Sequence, residues 1–425
     1  MITALAVLLA LLVLFGLPVF AGITAAAMLG LYTSGVDLSA VAIEMFRLAN
    51  APVLLAIPQF TFAGYLLSEG GTSERLVRFS RALLGWLPGG LGVVALVSCA
   101  FFTAITGATG VTIIALGGLL LPALLSERYT ERFSLGLMTT SGSLGLHFPP
   151  SLPLILFGFV SGASIETLFV AGVIPGAIMV GILCGFSVCM GRRWRLESPG
   201  FSFPELASAA RAAAWELPIP FLILLAIYTG FSTATEAAAL TVGYVLFIKV
   251  VVYREIRPFL DLPRIMVESM EMVGGILIIL GGALGFTNYL VDAFVPMKIL
   301  AAMEGAIETR LGFLLVLNGF LILVGCMMDI FSAILIVVPL VMPLAQKYGV
   351  DPVHLGVVFL ANLAIGYNTP PVGLNLFIAS SRFDKPIVTL YRATLPFLLL
   401  LMASLLLITY WPDLSLFLPR QLGLR

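Results

Sequence analysis

The sequence predicts an all-α polytopic membrane protein made of two inverted repeats, each with a re-entrant helical hairpin and a broken helix. Of its 425 residues, 60% are hydrophobic and only 10% are charged, whereas a soluble protein carries about 25% charged residues. Apolar runs near the roughly 20 residues that span a bilayer recur along the whole chain. A match between the two halves of the chain indicates the repeats.

The apolar runs define the segments that are predicted to enter the membrane. The first run lacks the basic start of a secretion signal and is longer than a signal core, so we expect it to be retained as a span. After the second run, TSERLVRFSRALLGW places arginine at three-residue spacing, which is typical of an interfacial amphipathic helix. The predicted segments are 2–31, 50–68, 91–125 as a hairpin, 133–160, 165–190, 215–230, 235–252, 265–283, 311–346 as a second hairpin, 353–380 and 387–411.

Basic residues in the short loops predict the orientation, because such loops tend to remain in the cytoplasm. One order of membrane crossings places all the basic clusters on the cytoplasmic side, provided that both hairpins are re-entrant and do not cross. The N-terminus is then cytoplasmic and the C-terminus periplasmic, with Arg47 as an exception. The clusters are Arg75, Arg78 and Arg81; Arg192, Arg193 and Arg195; Lys249, Arg254 and Arg257; and Arg382 with Lys385.

The two halves of the chain match without gaps. GATGVTIIALGGLLLP ends at Pro122 and MDIFSAILIVVPLVMP ends at Pro343, an offset of 343 − 122 = 221 residues. Because the span at 215–230 carries the chain across the membrane, the second half should be inverted relative to the first. Inverted repeats with paired interrupted helices are typical of secondary transporters. The same offset aligns Pro149-Pro150 with Pro370-Pro371, Gly145 with Gly366, and Ser141 with Asn362.

The double prolines predict that one helix in each repeat breaks at membrane depth. Proline removes a backbone donor and clashes with the preceding turn, so the helices should open near Gly145 and Gly366. Freed carbonyls are tolerated at this depth only inside protein or around a water-filled site. A small hard cation such as sodium would satisfy them. The helix that follows each break presents its N-terminus, which favours an anion such as a carboxylate.

Several polar residues in apolar sequence allow two interpretations. Asp329 is a functional candidate because an acid at membrane depth is costly, but it can equally cap a helix at the hairpin turn. His147 can relay protons, although we favour a role at the helix break in which it bonds a carbonyl. Asn362 and Asn375 can bind a ligand or form interhelical hydrogen bonds. Glu236 is expected to be a helix N-terminal acid rather than a ligand.

Other functional classes lack support in the sequence. A Walker A motif, a zinc-type His-Glu spacing and a nucleophile elbow are all missing, so neither an ATP-driven pump nor an enzyme is predicted. The formal net charge is zero, which suggests no nucleic-acid partner. The four cysteines have no metal-ligand spacing and are expected to be buried small residues. We expect no cofactor.

The same segments resemble the large membrane subunit, the DctM-like M subunit, of tripartite ATP-independent periplasmic (TRAP) transporters. The resemblance covers nearly the whole chain, and its most specific part is DPVHLGVVFLANLAIGYNTPPVGLNLFIAS. Further matching stretches are LLVLFGLPVFAGI, PQFTFAGYLLSEGG, FFTAITGATGVTIIALG, SGSLGLHFPPSLPLILFG and MDIFSAILIVVPLVMPLAQKYG. Two departures are the Thr-Gly-Ala-Thr of the first hairpin turn, where the family often has Ser-Gly-Ser-Ser, and His147, where an apolar residue is more usual.

The resemblance implies a fold and a function. The family has an elevator-type ion-transporter fold, in which a transport domain of hairpins and broken helices slides against a scaffold in the bacterial inner membrane. Sodium is the coupling ion, and the substrate is a small organic anion such as a C4-dicarboxylate, sialic acid or a keto acid. A small four-helix membrane subunit (Q) and a soluble periplasmic substrate-binding protein (P) are the expected partners, and the small subunit should be a separate polypeptide.

Pattern and resemblance together assign the candidate sites and domains. The first sodium site comprises Thr106, Gly107, Ser141 and Gly145, and the second comprises Asp329, Asn362, Gly366 and Thr369. The substrate carboxylate is expected near Ser143, Pro150, Asn368, Pro371 and Asn375. The predicted domains are 1–90, 161–310 and 382–425 as scaffold, with 91–160 and 311–381 as transport-domain hairpins and broken helices.

Two alternative functions remain at this stage. A stand-alone sodium/dicarboxylate carrier would transport without partner proteins. An intramembrane enzyme would need a second acid or a Ser/His pair, and Asp329 has no visible second acid in the sequence.

Overall fold

The computed structural model describes residues 17–196, 200–295, 297–298, 307 and 309–424. The regular structure in this part of the chain is all helical, with no strand in it, which confirms the predicted class. Residues 2–16 of the first predicted span lie outside the described residues. The helices are α1 (Val19–Thr33), α2 (Ser39–Ala49), α3 (Ala56–Ser68), α4 (Thr72–Leu84), α5 (Gly90–Thr106), α6 (Thr109–Ser126), α7 (Glu131–Ser141), α8 (Leu152–Ser161), α9 (Ile165–Trp194), α10 (Phe203–Ala212), α11 (Ile219–Tyr228), α12 (Ala234–Phe247), α13 (Asp261–Asp292), α14 (Arg310–Met327), α15 (Ile330–Lys347), α16 (Pro352–Gly366), α17 (Leu374–Phe383), α18 (Ile387–Tyr410) and α19 (Asp413–Gln421).

The helix lengths fit a protein that crosses the membrane several times. Within the described ranges, seven helical stretches are long and apolar enough to cross, and an eighth results if the pair bent by 47° at the first double proline is one span. Helices α2, α10 and α19 were not predicted, because they are short and carry polar residues instead of an apolar run.

The predicted crossing at 215–230 is shorter than expected. Its helix, α11, has only 10 residues, about 15 Å, which is half of the hydrocarbon thickness. Pro218 and Pro220 set its start, and Gly230 follows its end with φ 70°. The predicted continuous span is therefore wrong in length.

The internal repeat is visible in the helix boundaries. Adding 221 to the bounds of α6 gives those of α15, and the bounds of α5 and α8 fall within one residue of those of α14 and α17. Both double prolines lie in the links between the two halves of a broken helix, α7–α8 and α16–α17. The gapless match therefore describes two structurally equivalent units.

The two predicted hairpins differ in packing. The first is a close hairpin, because α5 and α6 lie side by side and Gly107, with φ 68°, turns the chain between them. The second hairpin is open, because its two helices do not pack along each other. Helix α14 packs mainly against α16, whereas α15 packs mainly against α8 and α13, so these two helices diverge from their junction at Asp329.

Most helix contacts in the described chain lie within a central or an outer group, and the two groups meet where α3 packs on α5 and α13 packs on α15. The central group contains both hairpins, both broken helices, α9, α18 and α19. The outer group contains α1 to α3 and α11 to α13. The predicted boundaries placed α9 and α18 in the scaffold. In the structure α9 packs on α5 and α16, and α18 packs on α7, all in the central group.

Candidate functional site

The first broken helix touches the first hairpin at backbone distance. After α7 ends at Ser141, a 3-10 turn runs from Leu144 to His147 and precedes the double proline. Gly145 in this turn lies so close to α5 that an added Cβ would be 2.3 Å from the carbonyl oxygen of Ala100 and 2.6 Å from the nitrogen of Ala104. This contact requires glycine.

The second broken helix makes the equivalent contact. An added Cβ at Gly366 would lie 2.7 Å from the carbonyl carbon of Gly325 and 3.0 Å from the nitrogen of Cys326. Gly325 is the residue 221 positions after Ala104. Beyond the break, the N–H of Gly373 donates to the Cys326 carbonyl oxygen at 2.9 Å. Each hairpin therefore meets the broken helix of its own repeat.

The two broken helices also meet each other, through three of the predicted substrate residues. The hydroxyl of Ser143 donates to the carbonyl oxygen of Ala364 at 3.0 Å. The Asn368 amide donates to Ser143 Oγ at 3.1 Å, and the Asn375 amide donates to Asn368 Oδ1 at 3.3 Å. All three side chains are buried, and Asn375 Oδ1 has no hydrogen-bond partner among the described residues. We call Ser143, Asn368 and Asn375 the junction cluster.

The remaining predicted substrate residues show that the junction is asymmetric. Pro150 is buried, whereas its counterpart Pro371 is exposed. The hydroxyl of Tyr391 donates to the Pro371 carbonyl oxygen at 2.5 Å. The surroundings of the junction are therefore covered on the side of α8 and more exposed on the side of α17, whereas the junction cluster itself is buried.

The structure brings together only part of the first predicted sodium site. Gly145 and Ser141 lie at the break, but Ser141 Oγ donates to the Met138 carbonyl oxygen at 3.1 Å and Thr106 Oγ1 donates to the Phe102 carbonyl oxygen at 3.0 Å. Gly107 forms the hairpin turn. These hydroxyls serve their own helices.

Thr103 provides the contact between the first hairpin and the break, a role that the sequence analysis missed. Its hydroxyl lies 2.6 Å from Thr112 Oγ1 in the other arm and donates to the Gly142 carbonyl oxygen at 2.9 Å. The available signal was that Thr103 and Thr112 lie at similar distances on either side of the turn at Gly107.

In the second predicted sodium site, Asp329 caps α15. Its carboxylate accepts from the backbone N–H groups of Phe331 and Ser332 at 3.0 Å each, and from the Ser332 hydroxyl. The hydroxyl of Tyr367, just after Gly366, accepts from the Ile330 N–H. Thr369 Oγ1 donates to the carbonyl oxygen of its own helix, four residues back, at 2.9 Å. The capping interpretation of Asp329 is confirmed.

Asn362 does not hydrogen-bond to Asp329. Its amide donates to Asn318 Oδ1 of α14 and to the Val358 carbonyl oxygen, both at 2.8 Å. Its own Oδ1 is buried and has no hydrogen-bond partner among the described residues. Asn362 is therefore an interhelical donor with one free acceptor. Asn318, a lone amide in the apolar run of α14, was the missed partner.

Two further interpretations have clear outcomes. His147 is fully buried against α9 and α16, and its ring faces the backbone of Val357, as the expected carbonyl contact requires, but the geometry falls short of a hydrogen bond in the described part of the chain. Glu236 closes a capping box with Thr233, because it accepts from the Thr233 N–H at 2.8 Å while Thr233 Oγ1 accepts from the Glu236 N–H at 3.3 Å. This confirms its role as a helix N-terminal acid.

A buried ion cluster, which the sequence analysis also missed, holds the amphipathic helix α4. Arg75 contacts Glu216 at 2.6 Å and also pairs with Glu255. Lys249, fully buried, contacts Glu255 at 2.7 Å and donates to Thr72 Oγ1 at 2.6 Å. The pKa of Glu255 is lowered to about 2, because hydrogen bonds from Arg75 and Lys249 outweigh the opposing effect of burial. Two cations and two anions balance each other here.

Comparisons with known proteins agree on one family. The model of the family described as "Tripartite ATP-independent periplasmic transporter, DctM component" matches residues 5–414. The C4-dicarboxylate TRAP transporter large permease protein DctM of Rhodobacter capsulatus is 34% identical over 431 residues, which cover 97% of each chain. The isethionate TRAP transporter permease protein DctMQ of Oleidesulfovibrio alaskensis is 35% identical over 413 residues, which cover 96% of this chain and 65% of that protein.

A solved structure shares the fold. The YdaH transporter of Alcanivorax borkumensis, whose structure is described as having an unusual topology, superposes with a TM-score of 0.60 at 16% identity. The superposition covers 88% of this chain and 87% of the other.

Proposed function

Because this chain belongs to the family of DctM components of tripartite ATP-independent periplasmic transporters, we propose that it couples sodium entry to the uptake of a small organic anion across the bacterial inner membrane. The single observation that carries the proposal is the meeting of two broken helices at the junction cluster. Each break opens beside its own hairpin, which is the arrangement in which secondary transporters hold ions and substrates.

The junction cluster has the chemistry that an organic anion needs. The side-chain amides of Asn368 and Asn375 and the Ser143 hydroxyl are buried hydrogen-bond donors, and an anion bound there would replace the bonds that they now make to Ala364, Ser143 and Asn368. The N-termini of α8 and α17 begin just after the two breaks and favour negative charge. A relative is named for C4-dicarboxylate transport and another for isethionate, and both substrates are small organic anions.

Sodium is proposed as the coupled ion because hard oxygen acceptors lie near both breaks. In the described chain, Asn362 Oδ1 is a buried acceptor without a hydrogen-bond partner. Main-chain carbonyl groups at each helix break also lose their helical hydrogen-bond partners. Asp329 adds a carboxylate at the tip of the second hairpin, between α14 and α15. We assign one ion to the surroundings of Thr103, Ser141 and Gly145, and the other to those of Asp329 and Gly366.

We further propose that the central helix group is the moving transport domain and the outer group is the scaffold. This division places α9 and α18 in the moving part. A small four-helix membrane subunit and a periplasmic binding protein would act with this chain, consistent with the periplasmic transporter named in the family description.

Uptake into proteoliposomes tests the proposal. The purified chain is reconstituted alone, with the small membrane subunit, and with both the subunit and the binding protein, using labelled succinate as a C4-dicarboxylate probe. We expect uptake only with all components and an inward sodium gradient. Uptake that persists when sodium is replaced by potassium at equal membrane potential refutes sodium coupling. Uptake by the chain alone would instead indicate a stand-alone carrier.

A further inference from the structure

A cavity of about 490 Å³ that is open to the protein surface lies at the seam between α6 of the first repeat and α17 of the second, and Ile114 and Phe377 in its walls are each 50% exposed. Its walls combine apolar side chains with a hydroxyl and a guanidinium. Near the hairpin tip the seam is tight, because an added Cβ at Gly110 would lie 2.8 Å from Ile378 Cδ1. The lining residues are Ile114, Phe377, Ile378, Ser381 and Arg382.

Arg382 lines this cavity without a carboxylate partner. Its Nε donates to the Ile114 carbonyl oxygen at 2.9 Å, which uses one of the five guanidinium donors. No carboxylate of the described residues lies within ion-pair distance of it, whereas nearby Lys385 pairs with Glu131 at 2.6 Å. Four N–H donors and a full positive charge therefore remain.

The equivalent seam of the other repeat has neither the charge nor the opening. Subtracting 221 pairs Arg382 with Ser161 and Phe377 with Leu156, and adding 221 to Ile114 gives Leu335. Leu156 and Leu335 are 0% and 1% exposed, whereas Phe377 is 50% exposed. Because the fold closes the equivalent seam with apolar side chains, it does not require an arginine at this position.

The depth of Arg382 makes its charge significant. It lies eight residues after Leu374, the start of α17 at the break, which is about 12 Å along a helix. Half of the hydrocarbon core is about 15 Å thick. Arg382 is exposed in the last turn of α17, so its guanidinium lies near the membrane surface, where an arginine side chain can reach water and attract an anion.

We propose that this cavity is the water-filled anion path between the junction cluster and the membrane side at the end of α17, and that Arg382 binds the substrate carboxylate transiently on that path. This inference rests on the proposed transport function. It also agrees with the exposure of Pro371 and the burial of Pro150 at the junction. In the predicted orientation this side is cytoplasmic, so the path is the exit.

Transport kinetics of charge variants test the role of Arg382. The variants are Arg382→Gln and Arg382→Lys, and the control is Arg193→Gln, which removes an exposed arginine at the end of α9. To present substrate to the membrane side on which Arg382 lies, proteoliposomes are loaded with succinate, and sodium-dependent exchange against external succinate is measured. We expect Arg382→Gln to raise the KM on this side about tenfold, Arg382→Lys to restore it to within about threefold, and the control to match the wild type.

Two outcomes overturn the role of Arg382. In the first, Arg382→Gln leaves the KM unchanged. In the second, both variants fail equally and unfold at a lower temperature than the wild type, which means that Arg382 only clamps α6 through Ile114.

Thiol labelling tests the cavity independently of transport. Phe377→Cys is made in a chain with Cys184→Ser and Cys189→Ser, and the detergent-free proteoliposomes are treated with an anionic or a cationic methanethiosulfonate. We expect the anionic reagent to react about fivefold faster relative to the cationic one, and Arg382→Gln to abolish this ratio. An unchanged ratio overturns the electrostatic role. Reaction only with an apolar maleimide overturns the water-filled path and indicates that lipid fills the cavity. These rates remain informative even if sodium-driven uptake is not observed.

Discussion

Asn368 and Ser143 lie 225 residues apart in the chain, yet the Asn368 amide donates to the Ser143 hydroxyl at 3.1 Å. The bond joins the two broken helices at the point where each leaves its helical path. The two repeats therefore share one polar centre, although each break contacts only its own hairpin at backbone distance.

Removing the Asn368 amide should impair transport more than folding. For Asn368→Ala we expect a loss of about 1 kcal/mol in stability and at least a tenfold drop in uptake kcat/KM. Asn368→Asp should be worse, because it places a like charge beside the anion. Asn50→Ala is the control, since this exposed amide bonds only the Phe46 carbonyl oxygen of its own helix. Wild-type kinetics in Asn368→Asp would exclude the junction cluster from anion binding.

Asp329 can be tested for charge separately from capping. Asparagine is as good an N-cap as aspartate, so Asp329→Asn should keep the thermal midpoint while raising the sodium concentration for half-maximal uptake about tenfold. Asp351→Asn is the matched control, because Asp351 caps α16 by accepting from the Val353 and His354 N–H groups at 2.8 and 3.1 Å. If the sodium dependence of Asp329→Asn equals that of the control, Asp329 is a cap alone.

The glycines at the breaks should not tolerate a methyl group. Gly145→Ala and Gly366→Ala would place Cβ at 2.3 and 2.7 Å from the hairpin backbone, so we expect a loss of about 1–3 kcal/mol and of uptake. Gly185→Ala and Gly319→Ala are controls in open space and should be neutral or stabilising by roughly 0.5–1 kcal/mol. Thermal unfolding in detergent measures both. Equal effects of all four changes would contradict the close contacts.

Breaking the ion cluster should destabilise the packing of helix α4. Glu216 is fully buried beside Arg75, so Glu216→Gln leaves a buried cation poorly compensated, and we expect a loss of roughly 3–5 kcal/mol. Glu205→Gln breaks the exposed Arg78–Glu205 pair, whose side chains are 48% and 50% exposed, and should cost less than about 1 kcal/mol. A similar thermal midpoint for both variants would show that the cluster contributes no special stability.

Acid should weaken the same cluster. The pKa of Glu255 is about 2 in the folded chain against an ordinary value of 4.5, so the stabilising contribution is complete above pH 4.5 and declines as the pH falls toward about 2. The thermal midpoint of the wild type should fall over that interval more steeply than that of Glu255→Gln. Parallel pH profiles would mean that another group causes the acid sensitivity.

Local chemistry explains which parts of this structure were predictable. The breaks before the double prolines, the turn at Gly107 and the cap at Asp329 all follow from residues close together in sequence, and the offset of 221 residues follows from a direct comparison of the two halves. Glycine, proline and capping effects act within one helical turn, so their consequences can be inferred without knowing the neighbours. The apolar runs likewise determined the membrane class, because only composition and length are needed for it.

Only the tertiary structure decided which distant residues meet. The bond between Ser143 and Asn368, the pairing of Asn362 with Asn318, the divergence of α14 from α15, and the burial of Lys249 with Arg75 and two glutamates depend on how helices pack. A polar residue in an apolar helix must find a partner, and the sequence shows that need but not the partner. The partner depends on which helix faces pack together, and that choice is made by the whole set of helix contacts.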